Sequence, residues 1–395
     1  MKQEWRKCPL RDCVDAVKIP RKIKRKQFLE RGEFPVISQE AEVINGFWDE
    51  KADVITLEKP VVVYGDHTQV VKYVDFDFVA GADGIKVLSP KQFLDPRYLY
   101  YYLMGNPVDS LGYSRHYRLL KNLDVRFPGD VSEQKRIVAI LDEAFAAIDA
   151  ATANAEKNRT NARELFEAQL NVVFSDTWNT SQIVSLQDLA THITDGDHQP
   201  PPKVEKGVPF ITISNVEKRT RRINFSDTFM VPRSYFDDLK PDRKPKRGDV
   251  LYTVTGSFGI PVIVDKKTDF CFQRHIGLVR PNAETNSEWL YYLLLSPQVY
   301  RQAHDGATGT AQKTVSLKLL RHLTVPKVPT VKQAETAERL NGLEADAGRL
   351  EELYRHKLSL LPNLKQSILQ KAFTGELTAD HPASDPEPAG AAVNE

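Results

Sequence analysis

The sequence predicts an α+β chain in which two mixed, mainly β lobes alternate with two long helices. Three observations predict this. The chain repeats itself at a fixed offset, and the repeated segments share one heptad phase. Between them lie short β-branched and aromatic runs that stop at glycine.

The repeat sets the order. A long polar–apolar segment begins at Ser132-Glu133-Gln134-Lys135-Arg136-Ile137 and runs to Phe174; a second begins at Val331-Lys332-Gln333 and runs to Phe373. Gln134 and Gln333 stand 199 residues apart, as do Phe174 and Phe373, so no gap separates the copies. Upstream, Tyr98-Leu99-Tyr100-Tyr101-Tyr102-Leu103 is echoed by Trp289-Leu290-Tyr291-Tyr292-Leu293-Leu294, and Leu123-Asp124-Val125 by Leu323-Thr324-Val325. Leu10-Arg11-Asp12 is answered by Leu186-Gln187-Asp188. The expected division is a lobe over 1–131, a helix over 132–174, a lobe over 175–330 and a helix over 331–376. The Pro/Ala-rich stretch 377–395 is expected to be a disordered acidic tail, since five acids and no Lys or Arg follow Gly375.

In the first helix the seam reads Leu141, Ala144, Ile148, Ala151, Ala155, Asn158, Ala162, Leu165 and Gln169. Adding 199 gives Leu340, Leu343, Ala347, Leu350, Tyr354, Lys357, Leu361, Leu364 and Ile368. Alternating steps of three and four over several heptads predict a coiled coil, about 65 Å long at ~1.5 Å per residue. Pro362 is expected to kink or divide the second helix near Leu361. In the lobes, Lys59-Pro60-Val61-Val62-Val63-Tyr64 and Asp249-Val250-Leu251-Tyr252-Thr253-Val254 read as strands leading to Gly65 and Gly256. Ile260-Pro261-Val262-Ile263-Val264 reads as an edge strand, and Tyr98–Leu103 and Trp289–Leu295 as short apolar helices.

Composition excludes several classes. At 395 residues, 41% hydrophobic and 27% charged, the chain is globular, with two to three domains expected. No apolar stretch approaches a membrane span, and Met1-Lys2-Gln3-Glu4-Trp5 lacks the apolar core of a secretory signal. Three cysteines (Cys8, Cys13, Cys271) suit neither a disulfide framework nor a zinc site, so a cytoplasmic location is expected. Net charge is only +1, but its distribution is uneven: 11 Lys/Arg against 4 Asp/Glu over 1–31, and 16 against 9 over 198–281, make +7 in each. Two basic lobes suggest polyanion binding at two places.

Catalytic spellings fail one by one. Gly306-Ala307-Thr308-Gly309-Thr310-Ala311-Gln312-Lys313-Thr314 has Gln312 where a phosphate-binding loop needs Gly before Lys. Asp242, Asp265 and Lys267 spell a magnesium nuclease core, but Asp242 sits in a proline-bracketed turn and Asp265 opens a charged one. Asp95-Pro96-Arg97-Tyr98 has Arg where an adenine methyltransferase motif needs a second Pro, and the histidines form no helical metal pair. Neither catalytic residues nor a metal site are expected.

Two helix ends carry a family resemblance. Ser132 to Asp142 resembles the start of the central conserved helix in specificity (S) subunits of type I restriction–modification systems. Leu364-Lys365-Gln366-Ser367-Ile368-Leu369-Gln370-Lys371-Ala372-Phe373-Thr374-Gly375-Glu376-Leu377 is similar to the end of their distal one. Thr194-Asp195-Gly196-Asp197-His198-Gln199-Pro200-Pro201 and Gly309 to Thr314 look like elements of their target-recognition domains, as do Gly65-Asp66-His67-Thr68 and Gly81-Ala82-Asp83-Gly84. The resemblance covers about Trp5 to Leu377; Pro128-Gly129-Asp130-Val131 and Pro326-Lys327-Val328-Pro329 depart from the family's usual Pro-Pro-Leu turn.

The resemblance implies two target-recognition domains separated by two long antiparallel coiled-coil helices. Each domain would bind half of a bipartite asymmetric target in double-stranded DNA, with the coil setting the spacer. It implies no cofactor in this chain. Two modification (methyltransferase) subunits would use S-adenosylmethionine to methylate adenine N6, and restriction/translocase subunits would use ATP and magnesium. Long polar side chains near glycine-rich turns are the base-reading candidates. In the first lobe these are Arg115, His116, Tyr117 and Arg118, with Lys72 and Lys86 on phosphates; in the second they are His198, Gln199, Gln273, Arg274, Gln312 and Lys313. Two rivals remain at this point: a stand-alone magnesium-dependent endonuclease, and a coiled-coil scaffold without a DNA role.

Overall fold

The computed structural model describes residues 4–379, apart from 83, 113, 200, 266, 267 and 311. The chain forms two units, Met1–Glu156 with His356–Glu395, and Lys157–Arg355. Each unit takes one lobe, part of the central helix (Val131–Thr180) and part of the distal helix (Thr330–Thr374). Among the described residues, no helix is long and apolar enough to cross a membrane.

In the first unit, Val14–Ala16, Ile85–Pro90, Val61–Gly65 and Val71–Val74 lie side by side in that order as an antiparallel sheet. The run of β-branched residues at Val61, Val62 and Val63 is buried on both faces, which is why it does not alternate. A second, mixed sheet joins Lys22–Ile23, Phe78–Gly81, Phe34–Ile37 and Gly46–Trp48, with Val54–Ile55 also paired to Phe78–Gly81. Trp5–Pro9 pairs with Asp124–Pro128 to close the lobe at the start of the central helix.

The second unit repeats the frame. Ala190–Asp195, Ile276–Pro281, Val250–Thr253 and Pro261–Ile263 form a four-stranded antiparallel sheet, with the proline-containing strand at its edge as expected. Gln182–Ser185 pairs with Thr324–Lys327 just before the distal helix. The second sheet differs: Val208–Ile211 lies between Phe229–Val231 and Cys271–Phe272, and a separate hairpin joins Val216–Glu217 to Arg222–Ile223.

The short apolar helices lie where expected, at Pro96–Gly105 and Ser287–Leu295, and each is clamped by a buried glutamine of a long helix. The Gln134 amide oxygen accepts from the Asp95 N–H (2.8 Å), and its nitrogen donates to the Phe93 (2.9 Å) and Pro128 (2.8 Å) carbonyls. Gln333 does the same in the second unit, accepting from the Asn286 N–H (2.7 Å) and donating to Glu284 (3.0 Å) and Val328 (2.7 Å). Asp95 and Asn286 are themselves the caps of the short helices. An amide with one acceptor and two donors satisfies three backbone groups that burial would otherwise leave unpaired. The 199-residue offset thus has a physical basis.

The two long helices run antiparallel in the first unit, where Lys365 pairs with Asp149 (2.5 Å) and Arg136 reaches the Thr378 carbonyl (3.3 Å). Leu141, Ile148, Ala155 and Leu340 are buried in the expected seam, with Ala347 and Tyr354 half-buried. Leu165 and Leu364 are not seam residues: they are 59% and 47% exposed. Burial moves instead in steps of four, through Ala162, Phe166, Leu170 and Phe174 in one helix, and from Leu369 to Phe373, eight and twelve residues beyond Leu361, in the other.

The cause of this shift is the partner. A straight helix has 3.6 residues per turn, so a heptad stripe stays aligned only while another helix supercoils with it. At these ends the partner is the aromatic short helix: Phe373 meets Tyr98 and Tyr102 edge-on, and Phe174 packs near Trp289. Pro362 does not divide the distal helix, which runs unbroken through it. Beyond Gly375, Glu376–Ala379 form a helical turn, so the expected tail does not begin at 377; residues 380–395 lie outside the described residues.

Candidate nucleic-acid interface

In the first lobe a turn at Gly65 to Val70 organises the candidates. The Asp66 carbonyl accepts from the His116 N–H (2.8 Å) and lies 3.0 Å from Nδ1, while the Asp66 carboxylate accepts from the Tyr117 N–H (2.7 Å). Nε2 of His116 accepts from the Leu111 N–H (3.0 Å), which puts the ring proton on Nδ1. His116 is therefore a buried tie between two loops and not a base reader. It presents its neighbours: Arg115 and Arg118 are exposed, and the Lys86 ammonium lies 5.1 Å from the centre of the Tyr117 ring. Asp66, His67 and Thr68 form the turn network itself, with Thr68 donating to the Gln39 carbonyl (2.6 Å).

Lys72 corrects a second expectation. It is only 3% exposed, and its ammonium donates to the Ser38 (2.8 Å) and Glu42 (2.5 Å) carbonyls and to Asn45 Oδ1 (3.1 Å). Burial pushes its pKa down to about 8, against the opposing pull of Glu40 and Glu42. It staples the 38–45 loop to the strand Val71–Val74 and has no hydrogen left for a phosphate. A count of charged residues cannot distinguish such an internal cation from an external one.

The second lobe brings its candidates together more completely. His198, Gln199, Gln273 and Arg274 line one cleft of about 310 Å3, with Lys203 and Phe229 on its walls. Gln312 lines an adjoining cleft of about 430 Å3 with Ser214, Lys218 and Gly256. His275 lines both. Lys313 lines neither; its ammonium lies 3.1 Å from His304 Nε2. The Gly256 turn needs glycine, because its φ is +68°.

The Thr194-Asp195-Gly196-Asp197-His198 motif is the mount for the first cleft. A Cβ on Gly196 would stand 1.9 Å from the Phe272 carbonyl oxygen, so only glycine lets the two segments touch. They are joined there by Asp197 N–H to Phe272 O and Arg274 N–H to Asp197 O, both 3.0 Å. Asp195 holds His198 (2.9 Å), and Arg243 bridges Asp195 (3.6 Å) and Asp197 (3.8 Å). Tyr235 donates to the Asp197 carboxylate; burial, then that bond, raises its pKa. Arg243, Arg280, Arg221 and Arg233 are all committed to carboxylates, and those of Arg243 and Arg221 lie outside the 198–281 stretch, so the +7 count overstates the charge left for a ligand. Lys203 and His275 were missed from sequence. Lys203 rests 4.7 Å from the Phe229 ring centre, a pairing that only the strand order creates.

The nuclease spelling does not assemble. Asp242 lies in a short turn helix, Pro241–Arg243, beside Arg321, whereas Asp265 faces a different cleft with Arg163. Lys267 lies outside the described residues. Among the described residues, no group of three His, Cys, Asp or Glu could hold a metal.

Comparison with known proteins agrees on one family. The family model of the type I restriction modification DNA specificity domain matches twice, over residues 2–158 and 177–355. The chain is 24% identical over 328 residues to the EcoKI specificity subunit of Escherichia coli, covering 76% of this chain and 70% of that one. It is 24% identical over 362 residues to the StySPI specificity subunit of Salmonella potsdam, covering 83% and 74%. Against the Escherichia coli EcoBI specificity subunit it is 24% identical over 284 residues and spans 59% of that relative's length. In fold, it matches the HsdS subunit of Thermoanaerobacter tengcongensis with a TM-score of 0.62 at 17% identity, over 94% of this chain and 97% of that one. A chain from a structural study of complex assembly and conformational transition in the type I R-M system matches at 0.70 and 16% identity, over 95% and 100%.

Proposed function

The chain belongs to the type I restriction–modification DNA specificity family, and from that premise we propose that it reads DNA for a complex whose partners do the chemistry. Each lobe binds one half of a bipartite, asymmetric duplex target, and the antiparallel helices set the spacer. Two modification subunits, using S-adenosylmethionine, methylate adenine N6 in the site so chosen. Restriction subunits, using ATP and magnesium, translocate and cut unmodified DNA. The chain itself supplies no catalytic group.

The observation that carries this reading is the pair of equivalent glutamine clamps holding two unlike polar surfaces. An asymmetric target needs one frame used twice with different readers on it. Phosphate contacts position each lobe, and a few long side chains discriminate bases. The recognition domains are 1–131 and 175–330, with the helices at 132–174 and 331–376. The reading set is Lys86, Arg115, Tyr117 and Arg118 in the first lobe. In the second it is His198, Gln199, Gln273, Arg274, Gln312 and Lys313, to which Lys203 and His275 are added. Lys72 and His116 leave it.

Methylated adenines should be mapped in DNA from cells that express this chain with its modification subunits. One asymmetric site, split by a fixed spacer, is expected; scattered methylation or one unbroken symmetric block would overturn the proposal. Replacing Asp242 and Asp265 by Ala should leave methylation and restriction within severalfold of the parent. Loss of cleavage with methylation retained would revive the nuclease.

A further inference from the structure

The hairpin of the second lobe, Val216–Glu217 with Arg222–Ile223, carries a side chain that touches three helices of its unit. Arg221 closes the turn, its N–H donating to the Glu217 carbonyl (2.9 Å). Its Nε donates to the Tyr291 hydroxyl (2.7 Å) on the short helix, and its terminal nitrogen pairs with Glu344 of the distal helix. Its guanidinium lies 5.9 Å from the ring centre of Phe166 on the central helix. Glu344 also accepts from the Tyr292 hydroxyl (2.9 Å), and Arg219 pairs with Glu351 one helical stretch further on (3.3 Å).

Two features mark these contacts as more than a surface ion pair. Arg221 holds φ +51°, a left-handed backbone that a residue with a long side chain adopts at a cost, and such strain persists when the surroundings over-determine it. Beneath the hairpin tip opens a cleft of about 630 Å3, lined by Arg219, Arg221, Phe166, Glu344 and Glu351. Across that gap the arginine forks tie the hairpin tip to the helices, beside the apolar core that Phe166, Leu170 and Phe174 share with Val250 and Tyr252 of the lobe. A planar guanidinium fixes direction as well as distance. At the equivalent helix position, 199 residues before Glu344, the first unit has Phe145, which meets Tyr101 edge-on.

We propose that Arg221 is a positioning residue: it fixes the second lobe on the long helices and so sharpens the spacer length that the complex accepts. This rests on the DNA-reading function proposed above. Arg219 with Glu351 is a secondary brace of the same joint.

The test uses the complex assembled with its modification subunits and three duplexes carrying the mapped site. Their spacers are the mapped length, one base pair shorter and one base pair longer. The parent should methylate the mapped spacer best. Arg221→Ala should weaken the preference for the mapped spacer over the other two severalfold while leaving the preferred bases unchanged, and Arg221→Lys should do so partly. Arg219→Glu or Glu351→Arg alone should weaken it slightly, and the two together should restore it; Arg219 is exposed and Glu351 half-buried, and unchanged melting temperatures would show that folding is intact. An equal loss on all three duplexes, tracking a lowered melting temperature, would reduce Arg221 to a structural residue and overturn the proposal. Unchanged discrimination in the variants would overturn it too. A parent indifferent to the spacer would sink both this proposal and the spacer-setting role of the helices beneath it, whereas scattered methylation in the map would sink the DNA-reading function itself.

Discussion

The two lobes share their attachment and differ in their reading ends. Gln134 and Gln333 make the same three hydrogen bonds, and the four-stranded sheets have the same order and sense. Beyond that frame the lobes part. The first builds a five-stranded mixed sheet stapled by a buried lysine, and the second a three-stranded sheet with a carboxylate–arginine network under its clefts. What a duplication must preserve is the joint, because both lobes insert into the same helix pair. What it can release is the surface that faces a ligand, where no common partner constrains it.

The largest expected effect breaks the shared half of this comparison. Gln134→Ala or Gln333→Ala leaves an N–H and two carbonyls without their partner in a buried site, which should cost about 2 to 4 kcal/mol in either unit. Gln→Glu at the same positions should cost at least as much, since both donors become acceptors facing carbonyls. Denaturant unfolding of the two single variants checks this. Equivalence of the clamps requires similar losses; a large loss in one unit beside a negligible one in the other would show that the frame is not used twice.

Much of that frame was legible in the sequence, because a constant offset is preserved only where both copies meet the same neighbours. The helices, the short aromatic helices and the strands at Val61 and Val250 all followed from period and composition. The seam failed at Leu165 and Leu364 because heptad arithmetic assumes that the partner is another long helix, whereas Tyr98, Tyr102 and Trp289 are the partners there. Candidate readers failed for a different reason. Lys72 and His116 are the right residue types beside the right turns, but whether such a side chain faces inward depends on loops many residues away, such as 38–45 around Lys72. His275 and Lys203 went unnoticed because their clefts exist only after Cys271–Phe272 pairs with Val208–Ile211.

A smaller effect sharpens the unshared half. Arg274→Ala or Gln312→Ala should weaken recognition of one half-site by about 1 to 3 kcal/mol where the contact is bidentate, and leave the other half-site untouched. Arg115→Ala and Arg118→Ala should do the reverse. Methylation rates on duplexes altered in one half-site at a time separate these outcomes. A variant that changed base preference in both half-sites would refute independent lobes.

The smallest effect tests the buried lysine that only the first lobe contains. Burial lowers the Lys72 pKa from 10.5 to about 8. Below that folded value both states are protonated, and the folded chain bears the full cost of a buried charge. Between about 8 and 10.5 the unfolded chain still binds the proton that the folded chain has released, so stability rises with pH across that window. From about pH 7 to pH 9 the gain should be about 1 kcal/mol. Lys72→Met removes the titrating group, so the stability difference between parent and variant should move by that amount in the parent's favour over the same range. Urea unfolding of both chains at the two pH values measures it. A difference that stays constant would mean that the three oxygens around the ammonium hold it charged throughout. The staple on the 38–45 loop would then be as permanent as the glutamine clamps.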